Sequence, residues 1–148
     1  MRILVIHGPN INMLGWREPD IYGSTTLEEV NSLIEDEAKS LGLDVRFFQS
    51  NIEGEIVTEI QGALGNEHGI IINPAAYTHT SVAIRDAIAA VGLPTIEVHL
   101  SNVFKREPFR HMSHVSPVAL GVITGLGVEG YILAVRGLAK HLSRAVSE

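Results

Sequence analysis

A chain of 148 residues, 45% of them hydrophobic, is long enough for one domain with a sizeable core. Seventeen acidic against eleven basic side chains leave a formal charge of −6 with no lysine or arginine run, which argues against nucleic acid or an anionic membrane surface as partner. Cysteine is absent, so disulfides, thiolate nucleophiles and cysteine-ligated zinc or iron–sulfur sites are excluded.

The elements follow in order. Ile3-Leu4-Val5-Ile6 reads as a buried first strand. It runs into Gly8–Gly23, GPNINMLGWREPDIYG, a polar stretch between two glycines placed to act as hinges. Loops of this length inside compact domains are lids, binding loops or disordered segments, and with few apolar anchors this one reads as a mobile lid at about residues 16–24. Thr26 can cap a helix through Leu27, Val30, Leu33, Ile34 and Leu41, with Gly42 ending it. Val45–Phe48 is a second strand, and Ile56, Ile60 and Leu64 mark a second helix stopping near Gly65.

Gly69–Ile72 is wholly apolar, as expected of a central parallel strand covered on both faces, and Asn73-Pro74 ends it. Thr80 or Ser81 opens a third helix through Val82, Ile84, Ile88 and Val91. Thr95–Leu100 is a fourth strand, Ser101–Pro117 a loop, Ala119–Thr124 a fifth strand and Tyr131–Leu142 the last helix. Five strands alternating with helices predict an α/β fold, a flavodoxin-like doubly wound parallel sheet of order 2-1-3-4-5, in a single catalytic domain over 1–148. No membrane-length apolar run or signal peptide is evident, so the expected setting is soluble and cytoplasmic.

In open parallel sheets, ligands bind beyond the carboxyl ends of the strands, near the switch point between strands 1 and 3. Asn10 follows strand 1, Asn73 follows strand 3, and Glu97, His99 and Ser101 lie at the end of strand 4. Glu97 and His99, two apart, leave the sheet on one face, where a carboxylate beside an imidazole suits a general acid or, equally, a structural ion pair. On the lid, Tyr22 beside Arg17 offers a base. A free phenol titrates near 10, and roughly 4 kcal/mol of phenolate stabilisation is needed for it to act near pH 7. The alternative is a surface tyrosine, with Arg17 paired to Glu18 or Asp20.

Asn73–Ser81 carries small residues that admit a ligand and a helix start that favours anions, or only an N-cap and its turn. Arg106 and Arg110 are placed to bind hydroxyls or a carboxylate, or are solvated. Gly125–Gly130 fits G-x-G-x-x-G, yet no strand follows to carry a ribose-binding acid, so close helix packing accounts for it better than a dinucleotide. His111 and His114 are spaced for a metal, but no third ligand is evident, and no metal or cofactor is expected.

The segments GPNINMLGWREPDIYG, QSNIEG, IINPAAYTHTSVAIRDA, EVHLSN and REPFRHMSHVSP, in this order, resemble type II 3-dehydroquinate dehydratase across nearly the whole chain. That family dehydrates 3-dehydroquinate to 3-dehydroshikimate by anti elimination through an enolate, without cofactor, in the shikimate pathway or in quinate catabolism. The resemblance implies that Tyr22, helped by Arg17, removes the proton beside the ketone. Asn10 would hold a water on the enolate oxygen, and His99, oriented by Glu97, would protonate the departing hydroxyl. It further places the substrate carboxylate near Leu100, Ser101 and Asn73, and the ring hydroxyls near His79 and Arg110. Asp86 is implied to reach a neighbouring subunit's site in a dodecamer built from trimers. Trp16 stands where the family more often has a less bulky residue, while Met13 and Leu100 are volume-conserving departures.

The residues read alone agree, since a base, an oxyanion stabiliser and an acid have candidates at converging strand ends. A lysine imine is disfavoured, because Lys39, Lys105 and Lys140 fall at no strand end. The rival, a nucleotide- or flavin-binding flavodoxin-like module, lacks a phosphate loop, as Gly8-Pro9-Asn10 offers one glycine and a proline without an N–H. A purely structural assembly protein leaves Tyr22, Arg17, Glu97 and His99 at strand ends without a reason.

Overall fold

The computed structural model describes residues 1–147. Five parallel strands, β1 (Arg2–His7), β2 (Asp44–Gln49), β3 (Gly69–Asn73), β4 (Thr95–His99) and β5 (Gly121–Thr124), form one sheet in the order β2-β1-β3-β4-β5. The expected order is therefore the observed one. The helices are a single turn, α1 (Pro19–Tyr22), then α2 (Leu27–Ser40), α3 (Glu53–Gly62), α4 (Val82–Val91) and α5 (Glu129–Val146). None of the described helices is long and apolar enough to cross a membrane.

Alternation along the strands divides the core in two. Ile3, Val5, Ile71, Ile96 and Val98 pack with Val30 and Ile34 of α2 and with Ala134, Val135 and Leu138 of α5. Leu4, Ile6, Ile70 and Ile72 pack on the other face with Ile56 and Ile60 of α3 and Ile84 and Ile88 of α4. Each fully buried isoleucine contributes roughly 1.5–3 kcal/mol, which is why the apolar run of β3 belongs at the centre.

Local chemistry sets the helix starts. A capping box opens α2: Glu29 N–H donates to Thr26 Oγ1 at 3.3 Å, and Thr26 N–H donates to Glu29 Oε2 at 2.9 Å. Of the two candidates at α4, Ser81 caps it, accepting from Ile84 N–H at 2.9 Å.

Three local expectations differ from the structure. β5 starts at Gly121 rather than Ala119, because a 3₁₀ turn over Ser116–Val118 commits the Val118 and Ala119 amides to the carbonyls of Val115 and Ser116. Gly8 is not a hinge: a Cβ there would sit 2.5 Å from the Pro74 carbonyl oxygen, so the position marks a close crossing of two chain segments. Ile11 and Leu14 are buried in the core, which anchors the first half of the polar stretch. Only the part between Gly15 (φ +87°) and Gly23 (φ +77°) stands clear, and within it Pro19 opens the unforeseen turn α1.

Candidate active site

The carboxyl ends of β1, β3 and β4 deliver their polar residues to one cleft of about 700 Å³, measured out to its open mouth. Asn10 enters after β1, Asn73 ends β3, and His99, Leu100 and Ser101 come at the end of β4. Arg17 and Tyr22 approach from α1 and the residues before it, His79 from the 3₁₀ turn Ala75–His79, and Arg106 and Arg110 from the loop after β4. Tyr22 and His99 therefore line the same space.

Two backbone positions at its floor are strained. Asn10 (φ 68°) and Ala75 (φ 52°) are left-handed without being glycine. Each is held by a side chain: Asn10 N–H donates to Asn51 Oδ1 at 3.0 Å, and Ala75 N–H to Asn73 Oδ1 at 3.1 Å.

Glu97 lies behind the cleft wall and is fully buried. His99 Nε2–H donates to its Oε2 at 2.5 Å. Thr78 Oγ1 donates to Oε2 at 2.7 Å and Ser116 Oγ to Oε1 at 2.5 Å, while Ser113 Oγ lies 3.1 and 3.0 Å from the two oxygens. Burial alone pushes this carboxyl up, but the His99 pairing and the Ser116 and Thr78 hydroxyls outweigh it and hold it below the usual carboxylate range. The carboxylate thus stays ionised beside the imidazole and orients it.

Tyr22 is held differently. Its hydroxyl oxygen accepts from Arg106 Nη1 at 2.6 Å, with the Arg106 Cζ 5.6 Å from the ring centroid. Arg17 reaches the same ring, with Cζ at 5.7 Å, and pairs loosely with Glu18 at 3.7 Å. Sequence reading put Arg17 alone beside the phenol. Arg106 is the direct partner, although the sequence marked it only as a loop cation for hydroxyls or a carboxylate, or as solvated. Arg17, Arg106 and Arg110 gather three cations in a chain of net charge −6, a setting for a small anionic guest.

A second network stiffens Asn73 from below. Its Nδ2–H donates to the buried Tyr131 hydroxyl at 3.0 Å, that hydroxyl lies 3.1 Å from His7 Nδ1, and His7 Nε2 lies 2.8 Å from Asn31 Oδ1. Burial lowers His7 to about 4 and raises Tyr131 beyond the ordinary phenol range, so both stay neutral. Neither residue was singled out in the sequence. Continuing the alternation Ile3, Val5, His7 would have put a polar ring on the α2/α5 face.

Asp86 stands apart from the cleft on α4, 64% exposed in its side chain and 3.0 Å from Arg85. His111 Nε2–H donates to the Arg106 carbonyl at 3.0 Å, and no three His, Asp or Glu side chains among the described residues gather as a metal site. Within the G-x-G-x-x-G stretch, a Cβ at Gly125 would meet Asn102 Cβ at 2.8 Å, so close packing explains that glycine, while Gly127 takes a left-handed φ of +59° and a Cβ at Gly130 would make only ordinary contacts with Ile123 and Val98.

The sequence profile of the family described as Dehydroquinase class II matches residues 1–139. The chain belongs to that family. Among relatives of this dehydroquinase-family chain, the 3-dehydroquinate dehydratase of a Synechocystis species is 57% identical over 142 residues, covering 96% of this chain and 93% of its own length. That of a Nostoc species is 58% identical over 142 residues, covering 96% and 97%. The crystal structure of type II dehydroquinase from Butyrivibrio crossotus superposes with a TM-score of 0.91 at 51% identity, covering 93% of this chain and 97% of that one. For a class II dehydroquinase, the doubly wound sheet is thus shared architecture.

Proposed function

We propose that this cleft dehydrates 3-dehydroquinate to 3-dehydroshikimate by anti elimination through an enolate. The observation that carries the reading is one cleft holding Tyr22 and His99 together with three arginines. Family membership and relatives named 3-dehydroquinate dehydratase support the same substrate.

The Tyr22 phenolate, stabilised by Arg17 and Arg106, takes the proton beside the ketone, and the electrons of the broken C–H bond pass into the enolate. A water on Asn10 stabilises the enolate oxygen. The enolate then collapses, the C–O bond of the neighbouring hydroxyl breaks, and His99 delivers the proton that lets it leave as water, with Glu97 compensating the imidazolium charge. Asn73, Leu100 and Ser101 take the substrate carboxylate, and His79 and Arg110 its hydroxyls. His79 is oriented for this by its Nδ1–H donating to the Met112 carbonyl at 2.7 Å. Residues 16–24 act as the lid of this single catalytic domain, and no cofactor takes part. None of the three lysines lines the cleft among the described residues, which supports a route without an imine.

The functional unit is a dodecamer built from trimers in the cytoplasm, with Asp86 reaching the cleft of a neighbouring copy. Phe104, Met112 and Val122 line a second hollow on the outer face of β4 and β5 while remaining exposed, which supports burial against another copy. Light scattering is expected to give the mass of a dodecamer; 16.1 kDa, one chain, would overturn the assembly. For the activity, authentic 3-dehydroquinate is expected to yield a conjugated enone seen by ultraviolet absorbance, undiminished after borohydride treatment in the presence of substrate. A flat trace rejects the reaction.

A further inference from the structure

The carboxylate behind His99 is met by three hydroxyl groups, and one of these has no freedom of polarity. An ionised carboxylate offers about four lone-pair positions. Here four side chains address them: His99 and Thr78 on Oε2, Ser116 on Oε1, and Ser113 across both oxygens. A threonine or serine hydroxyl can ordinarily rotate and accept instead of donate, which would let a buried carboxyl keep a proton.

Ser113 cannot do so. Its oxygen accepts from Val115 N–H at 3.1 Å and from Ser116 N–H at 3.0 Å, which occupies both lone pairs. Its one proton is left for Glu97, the only remaining acceptor of full charge within reach among the described residues. The 3.4 Å approach of Thr78 Oγ1 to Ser113 Oγ is longer than either Ser113–Glu97 contact. A turn of backbone thereby dictates which way a side-chain hydroxyl points.

We propose that Ser113, completed by Ser116 and Thr78, is a positioning residue that forces Glu97 to remain an anion and so commits His99 to the proton-donor role. The proposal rests on the acid role assigned to His99 above. With Glu97 unable to take up a proton, the Nε2–H of His99 stays pinned to it. Nδ1 is then the ring atom left to serve the cleft, and its proton is that of a full imidazolium. Without the hydroxyls, the shared Nε2 proton can pass to Glu97, which leaves a neutral imidazole whose Nδ1–H is a far weaker acid toward the leaving group.

Among the described residues no other charge competes for this role. The strand neighbours of Glu97 are Ile72 on β3 and Val122 on β5, both uncharged. Arg110 and His111 line the hollow behind it, but Arg110 Nε donates to Glu107 at 2.6 Å and the His111 ring is tied to the Arg106 carbonyl. His79, next to Thr78, is turned to the Met112 carbonyl.

Ser113→Ala, Ser116→Ala and Ser113→Thr, assayed with 3-dehydroquinate across pH beside His99→Ala, test this. Ser113→Ala is expected to lower kcat about tenfold with KM within about twofold, the loss of one hydrogen bond to a charged group. The acidic limb of its kcat profile is expected to move to higher pH by about one unit, because Glu97 then accepts a proton more readily. Ser116→Ala, whose hydroxyl serves only Glu97 and caps no turn, shifts the same limb at least as far, and Ser113→Thr restores the limb lost in Ser113→Ala. Should Ser113→Ala not fold, Ser116→Ala carries the test. An acidic limb that stays in place in Ser116→Ala or in folded Ser113→Ala, or a Ser113→Thr variant as impaired as Ser113→Ala, overturns the proposal. Turnover retained by His99→Ala would instead reject the assignment of the acid itself.

Discussion

The two walls of the cleft, one carrying the proposed acid and the other the proposed base, are built by opposite means. The acid wall is central strand: Glu97 is wholly buried, His99 is 7% exposed, and the carboxylate is fully supplied with donors before any ligand arrives. The base wall is a one-turn helix between two left-handed glycines, with Trp16 81% exposed and Tyr22 fastened mainly by one hydrogen bond from a different loop. Burying a charge in place requires a rigid sheet, because each missing partner costs several kcal/mol. A base that must admit its substrate first cannot be fixed so firmly. Damage to the acid wall should therefore cost stability along with rate, whereas damage to the lid should cost rate alone.

Tyr22→Phe is the severest test of that division. It is expected to lower kcat by about 10²–10⁴-fold with a modest change in KM and an unchanged urea midpoint. Near-normal turnover would move the base elsewhere, and a large loss of stability would mean that the lid belongs to the core after all. Next in size, Arg106→Ala is expected to reduce kcat about 10²-fold, since it removes the group bonded to the phenol. A markedly larger loss from Arg17→Ala would show that the phenol's principal cation is on its own loop.

The acid wall and its floor should also respond to pH where the lid does not. His7 is lowered to about 4 in the folded chain from an ordinary 6.5, so the unfolded chain binds the extra proton first. Its contribution is complete above about pH 6.5 and is lost as pH falls toward 4, amounting to about 3 kcal/mol. Urea midpoints at pH 7.5 and 5 should record this decline, and His7→Gln, which keeps polar partners without titrating, should flatten it. The smallest expected effect belongs to the lid. Trp16 is the only tryptophan, so ligand binding that closes residues 16–24 should shift its emission to the blue. Unchanged emission at saturating ligand would mean that the segment does not fold over the guest.

Much of this was legible in the chain itself. Apolar runs and helix spacing carried the sheet and its order, because alternation and capping are local properties that tertiary contacts reinforce here. The residues at strand ends, Asn10, Asn73, Glu97 and His99, were legible for the same reason: a strand's last residues must emerge at the sheet's edge. Ser113 and Ser116 were not, nor was the partner of Arg106, since a loop of seventeen residues from Ser101 to Pro117 has no periodicity to say which side chains fold back. Arg106 gains its meaning from Tyr22, 84 positions away. Gly8 was misread because a hinge and a tight crossing both select glycine, and only coordinates tell them apart.

That crossing has a consequence for what the cleft can hold. Gly8 brings the exits of β1 and β3 together with no thickness of side chain between them, so the loops bearing Asn10 and Asn73 are spaced by bare backbone. An alanine at that position would act as a shim, prising the floor apart, so the smallest residue in the chain sets the gauge of the guest.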